Sequence, residues 1–137
     1  LYYSGKGVGQ DFSKAAQLTQ LPAERGVADA QFNLGVLYAG GYGVPQNMTL
    51  AAFWYRKAAE QGHAGAQNNL AGCYYSGAGV ESSNLEACKW FTLAAAQNEP
   101  NSKKSRDSIQ KEMPQEQINL CQKAAEEEFK KILSGKR

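Results

Sequence analysis

The stretch ADAQFNLGVLYAGGYGVPQNMTLAAFWYRKAAEQGH, residues 28–63, is followed at once by AGAQNNLAGCYYSGAGVESSNLEACKWFTLAAAQNE, residues 64–99, in the same register. Ala30, Gln31, Leu34, Tyr38, Gly41, Gly43, Val44, Ala51 and Trp54 return 36 residues later as Ala66, Gln67, Leu70, Tyr74, Gly77, Gly79, Val80, Ala87 and Trp90. The same register runs backwards through Tyr2, Gly5, Gly7, Val8 and Ala15. A fixed period of this size marks a stacked array of small units rather than one globular enzyme core. Function is therefore expected on a surface, where neighbouring units combine, and not in a catalytic pocket.

Each unit reads as two helices. Phe32, Leu34, Leu37 and Tyr38 give the first, helix A over 28–39, one apolar face at helical spacing. Gly40, Gly41 and Gly43 break it, and Val44-Pro45 continues as extended chain. Asn47 and its counterparts Asp11 and Ser83 are short polar residues suited to accept from the free amides of a new helix. Helix B then runs from about Met48 to Gln61 and stops at Gly62, whose counterparts are Gly26 and Asn98, the residue types that best tolerate a left-handed stop. Ala51, Ala52, Ala58 and Ala59 allow close helix contact, while Trp54 and Trp90 fill the space between units. Pro22 aligns with Ala58, so helix B of the first copy is expected to kink or stop early.

Beyond Asn98 the pattern decays. Residues 100–113 form a degenerate helix A in which Arg106 stands where Leu34 and Leu70 stood, and the glycine loop is gone. Pro114 opens a last helix whose Ile118, Cys121, Ala125, Phe129 and Ile132 share one face, with Glu126–Lys130 and Glu127–Lys131 pairs elsewhere. This segment is expected to cap the apolar end of the array. The division is thus repeats over 1–98, as a partial unit 1–27 and units 28–63 and 64–99, followed by a degenerate repeat and capping helix over 100–137. Leu1 falls in register with Leu37, inside a helix A, and further repeats are expected upstream.

A net charge of +2, from 15 basic and 13 acidic residues, gives none of the basic surface that nucleic-acid binding needs. No apolar run reaches the ~20 residues of a membrane span. Cys73, Cys88 and Cys121 are too few and too irregular for a disulfide framework or paired metal ligands. Free buried thiols are expected, with a Cys73–Cys88 bridge as the geometric alternative, and Cys121 in the core under the cap. Compartment is left open by the residues, a bacterial periplasmic or secreted location being preferred to the cytoplasm.

Other motifs yield to plainer readings. The glycine loops follow a helix and lack the third glycine of a dinucleotide fingerprint. Ser108-Ile-Gln-Lys111 has the S-x-x-K spacing of serine acyl-enzymes but no partner motif, and lies in a charged, solvated segment. His63, the single histidine, reads as a surface or capping residue. No catalytic residue, metal site or cofactor is assigned.

The run Ala-x-Ala-Gln-Phe-x-Leu-Gly-x-x-Tyr-x-x-Gly-x-Gly-Val, closing in Trp-Tyr-x-Lys-Ala-Ala-Glu-Gln-Gly-His, resembles the Sel-one-like repeat of the tetratricopeptide superfamily. The resemblance implies an all-α fold, a right-handed α-solenoid of antiparallel helix pairs with a C-terminal capping helix. It also implies a non-enzymatic bacterial adaptor that binds a protein or peptide on its concave face as a monomer. On that curvature the helix A positions facing the groove are Asp29, Asn33, Val36, Asn68, Asn69 and Tyr75, joined by Tyr3, a polar and aromatic ladder suited to an extended peptide. The family also suggests an immunity protein against a secreted toxin such as a type VI lipase effector. A cysteine-rich branch suggests β-lactam binding or hydrolysis, but its regular cysteine pairs are missing here.

Overall fold

The structure, a computed structural model, describes the backbone of residues 8–135 and the side chains of residues 11–135. Seven helices make up this part of the chain: α1 (Val8–Glu24), α2 (Ala28–Gly40), α3 (Met48–Ala59), α4 (Ala64–Ser76), α5 (Asn84–Ala96), α6 (Ser102–Gln110) and α7 (Gln115–Ser134). No strand occurs among the described residues. The fold is an all-α solenoid. α2 packs on α3 and α4 on α5 as hairpins, α1 and α6 flank them, and α7 returns to lie on α5.

Helix ends follow the repeat. Asn47 Oδ1 accepts the Leu50 amide at 3.0 Å and Ser83 Oγ accepts the Glu86 amide at 3.1 Å. Asp11 is already inside α1, whose described part runs from Val8, so it does not stand at a helix start. The expected stops hold, with positive φ at Gly26, Gly62 and Asn98. Pro22 lies in the last turn of α1 without ending it early, since the helix reaches Glu24. So near the end its ring removes one donor, and the Pro22 carbonyl still accepts from Val27 at 3.1 Å.

The glycine loops have a packing reason. A Cβ at Gly43 would collide with the backbone of Phe12 and Ser13, and one at Gly79 with Met48 and Thr49. These are the same contact displaced by one repeat: each loop lies directly on helix B of the preceding unit. The space a phosphate would need is filled by a helix backbone.

A ladder of glutamines carries the same periodicity through the buried layer. Gln31 Nε2 donates to the Ala23 carbonyl at 3.1 Å, while Gln61 Nε2 donates to Gln31 Oε1 at 2.8 Å and to the Gly26 carbonyl at 2.9 Å. One repeat later Gln67 donates to Ala59 at 3.2 Å, and Gln97 to Gln67 Oε1 at 3.0 Å and Gly62 at 2.8 Å. Gln31 and Gln67 are buried, so these bonds satisfy their amides and tie successive units at the ends of their B helices.

The cysteines correct the sequence reading. Cys88 and Cys121 form a disulfide, Cα atoms 6.0 Å apart, and Cys73 is the free, buried thiol. The bond joins α5 to α7. Beside it Glu128 is buried, with its carboxylate 3.8 Å from Lys89 Nζ. Cys121, Ala125 and Glu128 are the buried residues of α7, Ile118 and Ile132 are partly covered, and Phe129 is exposed. The helix is therefore rotated from the face expected for it.

Candidate functional site

Helix A of the third unit positions the site. From α4, Asn68, Asn69, Gly72, Cys73 and Ser76 line one wall of an open groove of about 350 Å³. Ala39 of α2 with Met48 and Tyr55 of α3 form another wall, and Phe91 of α5 with Asn101 and Ser105 near α6 close the far side. Tyr55 reaches the groove across Gly35 of α2, where any side chain would meet its ring. Its phenol hydrogen-bonds the Asn69 side chain. The hydroxyl of Ser102, fully buried, lies between the Asn68 side-chain amide, 2.9 Å away, and the Glu99 carboxylate. Both asparagines are thus oriented from behind.

No residue lining the groove carries a formal charge at neutral pH. Burial pushes the Cys73 thiol up. Burial likewise raises the Tyr55 phenol, against the opposing pull of the Asn69 hydrogen bond, with a smaller upward push from Cys73. Both groups stay protonated and neutral. What the groove offers is amides, hydroxyls and apolar surface.

Of the residues expected to form one ladder, Asn68 and Asn69 come together here. Asn33 is exposed on α2, one unit away, and Val36 is half-buried against the core. Asp29 is exposed and 3.1 Å from His63 Nε2. Tyr75 is half-exposed on α4 but does not line the groove, and Tyr3 lies outside the described residues. Sequence reasoning missed Met48, Tyr55 and Phe91, which come from B helices, and Asn101 and Ser105, which belong to the segment where the register fails. The repeat register carried one signal, since Tyr55 and Phe91 occupy the same repeat position 36 residues apart and both are aromatic.

His63 is a capping residue. Its Nδ1 accepts the Ala66 amide at 3.0 Å at the start of α4, its ring stacks on Phe32 at 4.6 Å, and Nε2–H points to Asp29. Ser108 and Lys111 are exposed at the end of α6. No group of three or more potential metal ligands occurs among the described residues, and none of their helices is long and apolar enough to cross a membrane.

The family model described as Sel1 repeat matches residues 1–27, 28–63 and 64–99. The chain belongs to the Sel1 repeat family. Among solved structures, this Sel1 repeat chain is similar to a protective antigen of uropathogenic Escherichia coli strains with an SLR fold, at 33% identity and a TM-score of 0.84. That match covers 88% of the chain but 26% of the antigen, so the chain spans about a quarter of that relative's length. It is also similar to a Sel1 repeat protein from Oxalobacter formigenes, at 36% identity and a TM-score of 0.68 over 76% of the chain and 78% of that protein. No curated protein matches it. Sel1 repeat proteins generally mediate protein–protein interaction, and the scaffold is generally non-catalytic.

Proposed function

We propose that this Sel1 repeat chain is a non-enzymatic adaptor that holds a protein partner by a neutral, extended segment laid in the groove between α2, α4 and α6. The observation that carries the reading is the lining itself: oriented amides on an apolar floor with no ionised side chain. Such a surface can hydrogen-bond a peptide backbone and accept small apolar side chains, whereas a charged tail would leave its ions unpaired. Asn33 and Tyr75 extend the contact beyond the groove, and the chain acts as a monomer without nucleic acid. The Cys88–Cys121 bond supports work in an oxidising compartment.

Gly72 gives a clean test. It lies within α4 with open space where its Cβ would be, so Gly72→Leu fills the groove while improving the helix. Affinity capture from the source organism with wild-type and Gly72→Leu chains, followed by peptide mapping of the bound protein, is expected to lose the partner in the variant. The mapped segment is expected to be uncharged, with affinity changing less than about twofold between ~50 and ~500 mM salt. Equal capture by both chains would move the site away from the groove.

A further inference from the structure

The repeat register compares one surface in two environments. On α5, the outer flank holds Lys89, Trp90 and Leu93, and α7 lies along that helix, fastened by Cys88–Cys121 and by Glu128 beside Lys89. There the Lys89 side chain is only 12% exposed, Trp90 is fully buried and Leu93 nearly so. Displaced by 36 residues, the same flank of α3 is Phe53, Trp54 and Lys57. Among the described residues α3 has its main contacts with α2 and α4, and of this flank Trp54 is half-buried against the α1–α2 cluster while Phe53 and Lys57 are exposed. Phe53 is 47% exposed, edge-on to Trp54 at 5.0 Å, and Leu50 one turn earlier is also exposed.

The bare flank is continuous with the covered one. α7 ends against repeat two, where Ile132 packs at Gly62, and a cleft of about 440 Å³ runs between Lys57, Glu60 and Gln61 on one side and Lys131, Ile132 and Gly135 on the other. Lys57 Nζ lies 5.4 Å from the centre of the Phe53 ring. Two lysines thus mark the end of an apolar stripe, and within the same chain the equivalent stripe is covered by an amphipathic helix that brings a carboxylate to a lysine.

We propose that the outer flank of α3 docks an amphipathic helix of a partner protein, apolar where it meets Leu50 and Phe53 and carrying a carboxylate for Lys57 and Lys131. This surface is distinct from the groove and does not depend on it. Phe53 in place of Lys89 requires an apolar residue where α7 has Glu128, and Lys57 in place of Leu93 requires an acid one turn further on.

The probe is a synthetic fluorescent peptide with the α7 sequence carrying Cys121→Ala, Glu128→Leu and Ile132→Glu, titrated by anisotropy against the intact, disulfide-bonded chain. Saturable binding is expected. Phe53→Asp should weaken it by about tenfold or more, the size expected for a central aromatic anchor. Leu120→Asp, on the opposite side of α7, should leave it unchanged, and a peptide with Ile132→Lys instead of Ile132→Glu should bind more weakly at low salt. Unchanged melting of the Phe53→Asp chain confirms its fold. The proposal is overturned by absent binding, by binding indifferent to Phe53, by a dimer in light scattering that dissociates in Phe53→Asp, or by Phe53-dependent adsorption to vesicles of anionic lipid without peptide binding. Gly72→Leu should not affect this titration, so failure here is separable from failure of the groove.

Discussion

Glycine has two different tasks along this chain, and substitution separates them. At Gly79 the backbone has φ +75° and a Cβ would strike Met48 on the preceding helix. Gly79→Ala should therefore cost upwards of about 2 kcal/mol, strain and collision together. Gly72 has ordinary helical geometry and open space, and Gly72→Ala should stabilise by roughly 0.5–1 kcal/mol. Urea titrations of the two variants should move the midpoint in opposite directions. At His63, Ala would remove the Nδ1 cap and the Phe32 stack, for an expected loss of about 1 kcal/mol or more in the same assay. The raised thiol and phenol of Cys73 and Tyr55 set an alkaline limit. Their folded pKa values lie above those of the unfolded chain, so over the window from about 8.5 to above 10 the unfolded state binds fewer protons. Stability present at neutral pH should fall as pH rises through that window, and Cys73→Ala should flatten its lower part.

At the scale of elements, the cap depends on a bond that crosses between helices of unlike register. Reduction, or Cys121→Ser, should release α7 from α5 at a cost of about 3–4 kcal/mol, given a sequence separation of 33 residues. Urea unfolding with and without reductant measures this directly. Much of the element level was legible in the sequence, for a physical reason: the glycine breaks, the caps Asn47 and Ser83 and the left-handed stops act within a few residues. The cysteine pairing was not, because Cys121 follows the point where the register is lost and only the approach of α7 to α5 determines its neighbour. Periodicity put Phe129 in the buried stripe of α7. Glu128 takes that place because Lys89 provides a charged partner, something no pattern internal to α7 can reveal. The groove was half legible: repetition pointed to the amides of α4, but the aromatic floor comes from other helices.

For the whole molecule, coupling is between neighbours only, and both the glycine contacts and the glutamine ladder repeat it from one unit to the next. Central hairpins have supports on both sides, whereas among the described residues α1 has its main contacts with α2 alone and exposes Leu18 to 67%. Hydrogen exchange should accordingly be slowest in α4 and α5 and fastest in α1. Uniform protection along the chain would mean that the array unfolds as a single block. Stacks of hairpins under tension ordinarily peel from either end. Here the link from Cys88 to Cys121 closes a covalent ring that contains α6, so a pull on the C-terminus bypasses that helix and reaches α5 through sulfur. A C-terminal pull therefore cannot peel α6 before it loads α5, so the covalent ring sets the order in which the described helices give way.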